Sequence, residues 1–475
     1  MNTALALAAL AAALGAAPPE APAVNTELHN ETWRPQFHFT AKKNWLNDPN
    51  GLVFYNGQYH LFFQHNPFGT EWGNMHWGHA VSRDLVRWTE RPIALAPDGH
   101  GTCFSGSAVV DWNNTSGLAA PDAPHPPLVA FYTGAPVPQV KGGPKFTQCM
   151  AYSLDGGETW KKYDKNPILG NIVGDNRDPK VIWHAPTSRW VMALYLDKSD
   201  YALFGSTDLK SWERLCDVEV PGRGECPDFF ELPVDGNPAD SRWIFVGGNG
   251  DYLVGRFDGK IFTPDSPVIR CDHGEHFYAP QSWSDIPAED GRRIQIGWMR
   301  GGAYPGMPFN QQMAFPNELT LRATPDGPRL FRQPVREIAG LWENTVTVSG
   351  VDLRGTTTLD ELSGELCDLR VVVAPGGAES FTLMARGEPV TWTAATGALT
   401  ALGREMPAAL EDGKVEIRLL ADRASFEIFV QNGLAAMSQC FLPKPENRDW
   451  ALTVPEGQSA RLVALEGHRL RSAWR

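Results

Sequence analysis

STDLKSW, residues 206–212, has two counterparts earlier in the chain, SRDLVRW at 82–88 and SLDGGETW at 153–160. Each sets a serine two residues ahead of an aspartate and ends on a tryptophan. Serine and aspartate oxygens accept from nearby turn amides, and tryptophan carries a large apolar face, so the pattern predicts a turn between strands. A unit that recurs in this way stacks against its copies, which points to a β-propeller with few blades. The surrounding sequence agrees. Between Gly51 and about Leu330, short runs such as LVFYNGQYHLFFQ (52–64), PLVAFYTG (127–134) and RWIFVGGNGDYLVGRF (242–257) are broken by turn residues, with Asn56-Gly57 as a hairpin signal.

The texture changes at Gln333-Pro334-Val335-Arg336-Glu337-Ile338, where a short helix-like segment runs through Leu341. Beyond it, DLRVVVAP (368–375), ESFTLMAR (379–386) and KVEIRLLADRASFEIFVQ (414–431) alternate with period two and predict a β-sandwich. The expected class is all-β. At the N-terminus, MNTALALAALAAALGAAPPEAPAV combines an Ala-Leu run with the small-residue site Ala21-Pro22-Ala23, although no Lys or Arg precedes the run. The expected organisation is a signal peptide at 1–23, a propeller at 24–333, a linker at 334–344 and a sandwich at 345–475, in a secreted or periplasmic protein.

Composition narrows the partners. The 475 residues carry a net charge of −13 with no basic run, so nucleic acid is not expected. No later segment is apolar for long enough to cross a membrane. Seven cysteines, an odd number without a C-x-x-C pair, indicate neither a zinc ribbon nor a disulfide framework. His60, His65, His76 and His79 cluster, but in strand-like, Trp-Gly-rich sequence rather than on an H-E-x-x-H helix, so no metal and no cofactor is assigned. The assembly state is left open, a monomer included.

Three acids occupy unusual local settings. In WLNDPNG (45–51), Asp48 lies between amides, and Pro49-Asn50-Gly51 predicts a sharp turn just after it, at a strand end. In NRDPK, Asp178 stands between two cations and before a proline; in GECPDFF, Glu225 precedes an apolar strand. Read singly, each is an ordinary turn or strand-end acid. In a propeller, strand-end acids at blade-length intervals can all point into one central channel, and that convergence is the sharper expectation.

WLNDPNG, CFSGSAVVD (103–111), NRDPKV (176–181), ECPDFFEL (225–232), FYAPQSW (277–283) and IGWM (296–299) resemble, in order, the motifs of glycoside hydrolase family 32, the fructan hydrolases and invertases. DRASFEIFVQNG (422–433) resembles the heart of that family's C-terminal sandwich. The resemblance implies a five-bladed propeller with a funnel-shaped site, followed by a sandwich. It further implies Asp48 as nucleophile, Glu225 as general acid and then base, and Asp178 as a transition-state stabiliser. Trp45, Asn47, Gln64, Trp72, Phe104, Ser105, Arg177 and Trp298 match positions that line the fructosyl pocket in relatives. Arg177 and Asp178 are neighbours that a regular strand would point to opposite faces, so an irregularity before Pro179 is required.

Cleaving a fructosidic bond builds positive charge at the anomeric carbon while the leaving oxygen takes a proton, so one acid must be ionised and the other protonated. The expectation is that donated hydrogen bonds keep Asp48 charged and apolar surroundings keep Glu225 protonated near neutrality. The implied function is removal of terminal β-fructosyl units from fructan or sucrose, with MPFNQQMAFPNELTLR (307–322) tilting toward polymer. A fructosyltransferase and a catalytically silent carbohydrate-binding propeller are the alternatives.

Overall fold

The computed structural model describes residues 27–136, 145–222 and 224–474; the expected signal peptide lies outside the described residues. Its first part is a succession of antiparallel sheets. Asn44–Tyr55, Gln58–Asn66, His76–Ser82 and Trp88–Leu95 form one, with Phe309–Asn310 added in parallel at its edge. Thr102–Val110 leads a second sheet and Arg177–His184 a third, each of four strands. Asp228–Val234 and Tyr278–Ser282 begin two further strand groups, which one parallel bridge between Val234 and Leu321 merges into a single sheet. The leading strands pack in cyclic order. Asn44–Tyr55 contacts Thr102–Val110, which contacts Arg177–His184, then Asp228–Val234, then Tyr278–Ser282, which returns to the first. Sheets curled about a common centre in this way fit a propeller.

The recurring Ser-x-Asp pattern is the turn between the third and fourth strand of each of the first three sheets. The serine hydroxyl donates to the aspartate at 3.0, 2.7 and 3.2 Å in Ser82–Asp84, Ser153–Asp155 and Ser206–Asp208. Each aspartate then accepts from amides further round the turn. The indoles of Trp88, Trp160 and Trp212 each donate to a turn carbonyl at 3.1 Å. One local solution is used three times.

A 3-10 turn at Arg336–Leu341 follows, buried through Ile338 and Leu341, and then two six-stranded sheets face each other across Phe381, Trp392, Ile417, Phe426 and Trp450. The DRASFEIFVQNG stretch does more than fill this core. Asp422 accepts from the amides of Gln36 and Phe37, and His38 lies between Asp422 and Glu427, 2.8 Å from each. Glu427 also accepts from Phe315 N at 2.8 Å. The sandwich is thereby locked to the N-terminal segment by groups with no access to solvent.

The expected turn after Asp48 is corrected. Asp48 sits inside the strand Asn44–Tyr55, whose pairing with Gln58–Asn66 slips twice, between Leu46 and Pro49 and between Asn50 and Val53. Gly51 takes φ +55°, and a Cβ there would lie 2.6 Å from the Phe62 ring. The Pro-Asn-Gly signal is spent on bulges that bend a continuing strand.

Candidate active site

Asp48, Asp178 and Glu225 line one pocket of about 670 Å³, together with Trp45, Asn47, Gln64, Trp72, Phe104, Ser105, Arg177 and Trp298. Every site residue expected from the sequence is on its wall. Asp178 is 4% exposed and Trp72 54%, so the pocket runs from a buried carboxylate to an open aromatic rim. Trp72, Phe104 and Phe146 form an edge-to-face row, with ring centres 6.0 and 5.9 Å apart.

The acids reach the pocket through irregular backbone. Asp178 has φ +65°, Glu225 +63° and Cys226 +40°, a region that side-chain-bearing residues rarely occupy and that costs about 1–3 kcal/mol each. The break at Asp178, with a register slip opposite Tyr195, lets Arg177 and Asp178 face the same pocket. Cys226 sits between acids: its Sγ is 3.6 Å from Asp48 Oδ2 and 3.4 Å from Asp178 Oδ2, and its amide donates to Asp178 at 3.1 Å. Ser105 Oγ donates to Asp48 Oδ2 at 2.5 Å.

The shifts at Asp48 and Glu225 run in directions opposite to those expected from the sequence. Burial pushes Asp48 above the usual carboxylate range; hydrogen bonds from Ser105 and Asn47 offset only part of this, and the charge on Glu225 adds to the rise. Burial would raise Glu225 too, but the Tyr278 hydroxyl donates to it and Arg177 Nη2 lies 2.5 Å away, so its carboxyl is held below the ordinary value. Its surroundings are cationic and hydrogen-bonding rather than apolar. Asp178 is pushed up to about 7, mainly by burial, with Arg177 opposing and Glu225 and Asp48 reinforcing. Three carboxylates this close titrate as a set, and one proton stays among them to near neutrality. Arg177, expected only to bind sugar, is also the clamp on Glu225.

Such a set has a plain chemical capacity. It offers a carboxylate for attack or charge stabilisation, a proton to give a leaving group, and an aromatic wall suited to the CH face of a ring. Comparison with known proteins identifies the family. The N-terminal domain of Glycosyl hydrolases family 32 matches residues 38–334, and that family's C-terminal domain matches 337–468. The chain belongs to glycosyl hydrolases family 32.

As a family 32 member it is a glycoside hydrolase. It is 37% identical to a levanase of Bacillus subtilis over 96% of this chain and 73% of that protein. It is also 37% identical to an extracellular exo-inulinase of Aspergillus niger, over 64% of this chain and 65% of the relative. The crystal structure of an exo-inulinase from Aspergillus awamori superposes with a TM-score of 0.84 at 30% identity, covering 93% of this chain and 99% of that one. A fructofuranosidase from Schwanniomyces occidentalis, complexed with fructosylnystose, gives 0.83 at 26% identity over 94% and 100%.

The pocket of this family 32 chain includes groups the sequence reading did not select: Pro136, Phe146, Asp175, Tyr278 and Arg300. Tyr278 lay in FYAPQSW, and a phenol in a motif beside three acid motifs was the available signal. Arg300 stacks over Tyr278 at 4.7 Å and follows IGWM directly. Nothing in its spacing indicated a role. Cys226 was visible as the neighbour of Glu225 but not as a bridge between Asp48 and Asp178.

Proposed function

We propose that the protein is an exported, retaining, exo-acting β-fructosidase that removes terminal fructosyl units from fructans such as levan and inulin, and from sucrose. In this reading the described residues up to 333 form a five-bladed propeller, 334–344 join the two parts, and the sandwich follows, its first strand Trp342–Leu353 starting within that join. The observation that carries the reading is the meeting of half-buried Asp48 and Glu225 with buried Asp178 on the wall of one aromatic-rimmed pocket. The relatives' names supply the sugar, and the Ala-Leu leader together with the extracellular relative supports export.

Asp48 attacks the anomeric carbon and Glu225 protonates the leaving oxygen; Glu225 then takes a proton from water as the fructosyl ester is hydrolysed. Retention needs the two carboxyls about 5 Å apart, and the charge of Glu225 is felt at Asp48. Asp178 is raised to about 7 while Glu225 is held below its ordinary value, so Asp178 is the stronger base of the two. Sugar hydroxyls donating to Asp178 favour its ionised form, which releases its proton for Glu225 as the leaving oxygen draws the acid from Arg177.

The test is incubation with sucrose, inulin and levan in water containing methanol. Free fructose together with methyl β-fructofuranoside supports retention. Methyl α-fructofuranoside would overturn the double displacement, predominant fructosyl-oligosaccharides would make the protein a transferase, and no turnover would leave a binding propeller.

A further inference from the structure

Three strands that carry or directly follow pocket groups are joined at one buried node. Lys180 Nζ lies 3.1 Å from Asp228 Oδ1, with side chains 1% and 0% exposed. The same ammonium donates to Ser282 O at 2.6 Å. Ser282 returns its amide to Asp228 Oδ2 at 2.8 Å and its hydroxyl to Oδ1 at 3.2 Å, while Phe229 N donates to Oδ1 at 3.0 Å. Arg293 and Asp285 are the other charges facing Lys180.

Each member is tied by a short length of backbone to a pocket group. Lys180 is two residues past Asp178, Asp228 three past Glu225, and Ser282 four past Tyr278. Between them lie the positive φ values at Asp178, Glu225, Cys226 and Ala279. A backbone so far from its preferred wells relaxes unless its flanks are fixed. An apolar pair of the same volume could serve stability as well as a buried ion pair, so an ion pair that also bonds the third strand points to geometry. None of the three side chains lines the pocket.

We propose that Lys180, Asp228 and Ser282 are positioning residues that hold Asp178, Glu225 and Tyr278 in register, so that the Tyr278–Glu225–Arg177 contacts form and the acid is correctly poised. The inference rests on the proposed β-fructosidase activity.

The test pairs melting temperature with steady-state kinetics and pH profiles on sucrose and levan. In the double variant Lys180→Met/Asp228→Asn both charges go together, and Arg293 keeps Asp285 as its counter-charge. It should melt near the wild type yet lose about tenfold or more in kcat, with KM within about threefold and the alkaline limb of kcat/KM displaced. Ser282→Ala, the mildest change, should lower kcat about threefold and move the same limb, and Ser282→Thr should recover both. If the double variant does not fold, the Ser282 pair decides the matter. Wild-type kcat and an unmoved limb in folded variants would overturn the proposal and make the node a stability element alone. A wild-type protein without fructosidase activity would instead sink the functional reading.

Discussion

Arg177 and Tyr278 hold the Glu225 carboxyl below its ordinary value while burial raises Asp178 to about 7, which makes Asp178 the pocket's proton store. Asp48→Asn and Glu225→Gln each remove one half of the proposed reacting pair, and kcat should fall by several orders of magnitude, roughly 3–7 kcal/mol in barrier, with the fold intact. Retention of more than about a tenth of the activity by either variant would refute its role. The store empties as Asp178, at about 7, loses its proton, so kcat/KM should decline on an alkaline limb near pH 7. Stability follows the same group. A carboxyl whose folded value is raised contributes fully below its unfolded value and loses that contribution as pH rises through about 7. Asp178→Asn, inactive or nearly so, should therefore gain melting temperature relative to wild type between pH 4 and pH 8, by roughly 2 °C or more. A constant difference across that range would show that Asp178 is not raised.

At the scale of the element, bulges and left-handed residues place the acids. Gly51→Ala would set a Cβ 2.6 Å from Phe62 and 2.8 Å from Trp77 at φ +55°. It should cost about 2–4 kcal/mol in denaturant unfolding and lower kcat by shifting Asp48. Full activity at unchanged stability would mean that the bulge does not position the acid. The same elements explain how far the sequence could be read. The Ser-Asp-Trp turns were legible because each is closed by its own neighbours in sequence, as the Trp88, Trp160 and Trp212 bonds show. The ordered motifs carried the acids to one pocket. Asp48 was misplaced at a strand end because Pro-Asn-Gly encodes a positive φ without saying whether the chain turns or bulges. The lowering of Glu225 was not legible because Tyr278 and Arg300 approach it from a strand group about fifty residues on or more, which no local reading reveals.

Across the whole molecule, the sandwich is fastened through His38. Burial would lower this imidazole, but bonds to Asp422 and Glu427 outweigh it and raise it to about 9. The contribution is complete below the unfolded value of 6.5 and is lost as pH rises through about 9. His38→Gln removes the cation that Asp422 and Glu427 share and should cost about 3–5 kcal/mol near pH 7. The gap from wild type should narrow by pH 10, and a gap that stays constant in melting scans would assign the loss to packing alone. The central claim concerns the pocket, whose wall runs from buried Asp178 to exposed Trp72 and which, in the proposed function, admits one terminal ring and leaves the rest of the chain outside. The direct measurement is the product distribution during the first few per cent of levan hydrolysis, resolved by chromatography. Fructose alone from the earliest sample is the predicted result, and a ladder of short oligosaccharides preceding fructose would contradict it.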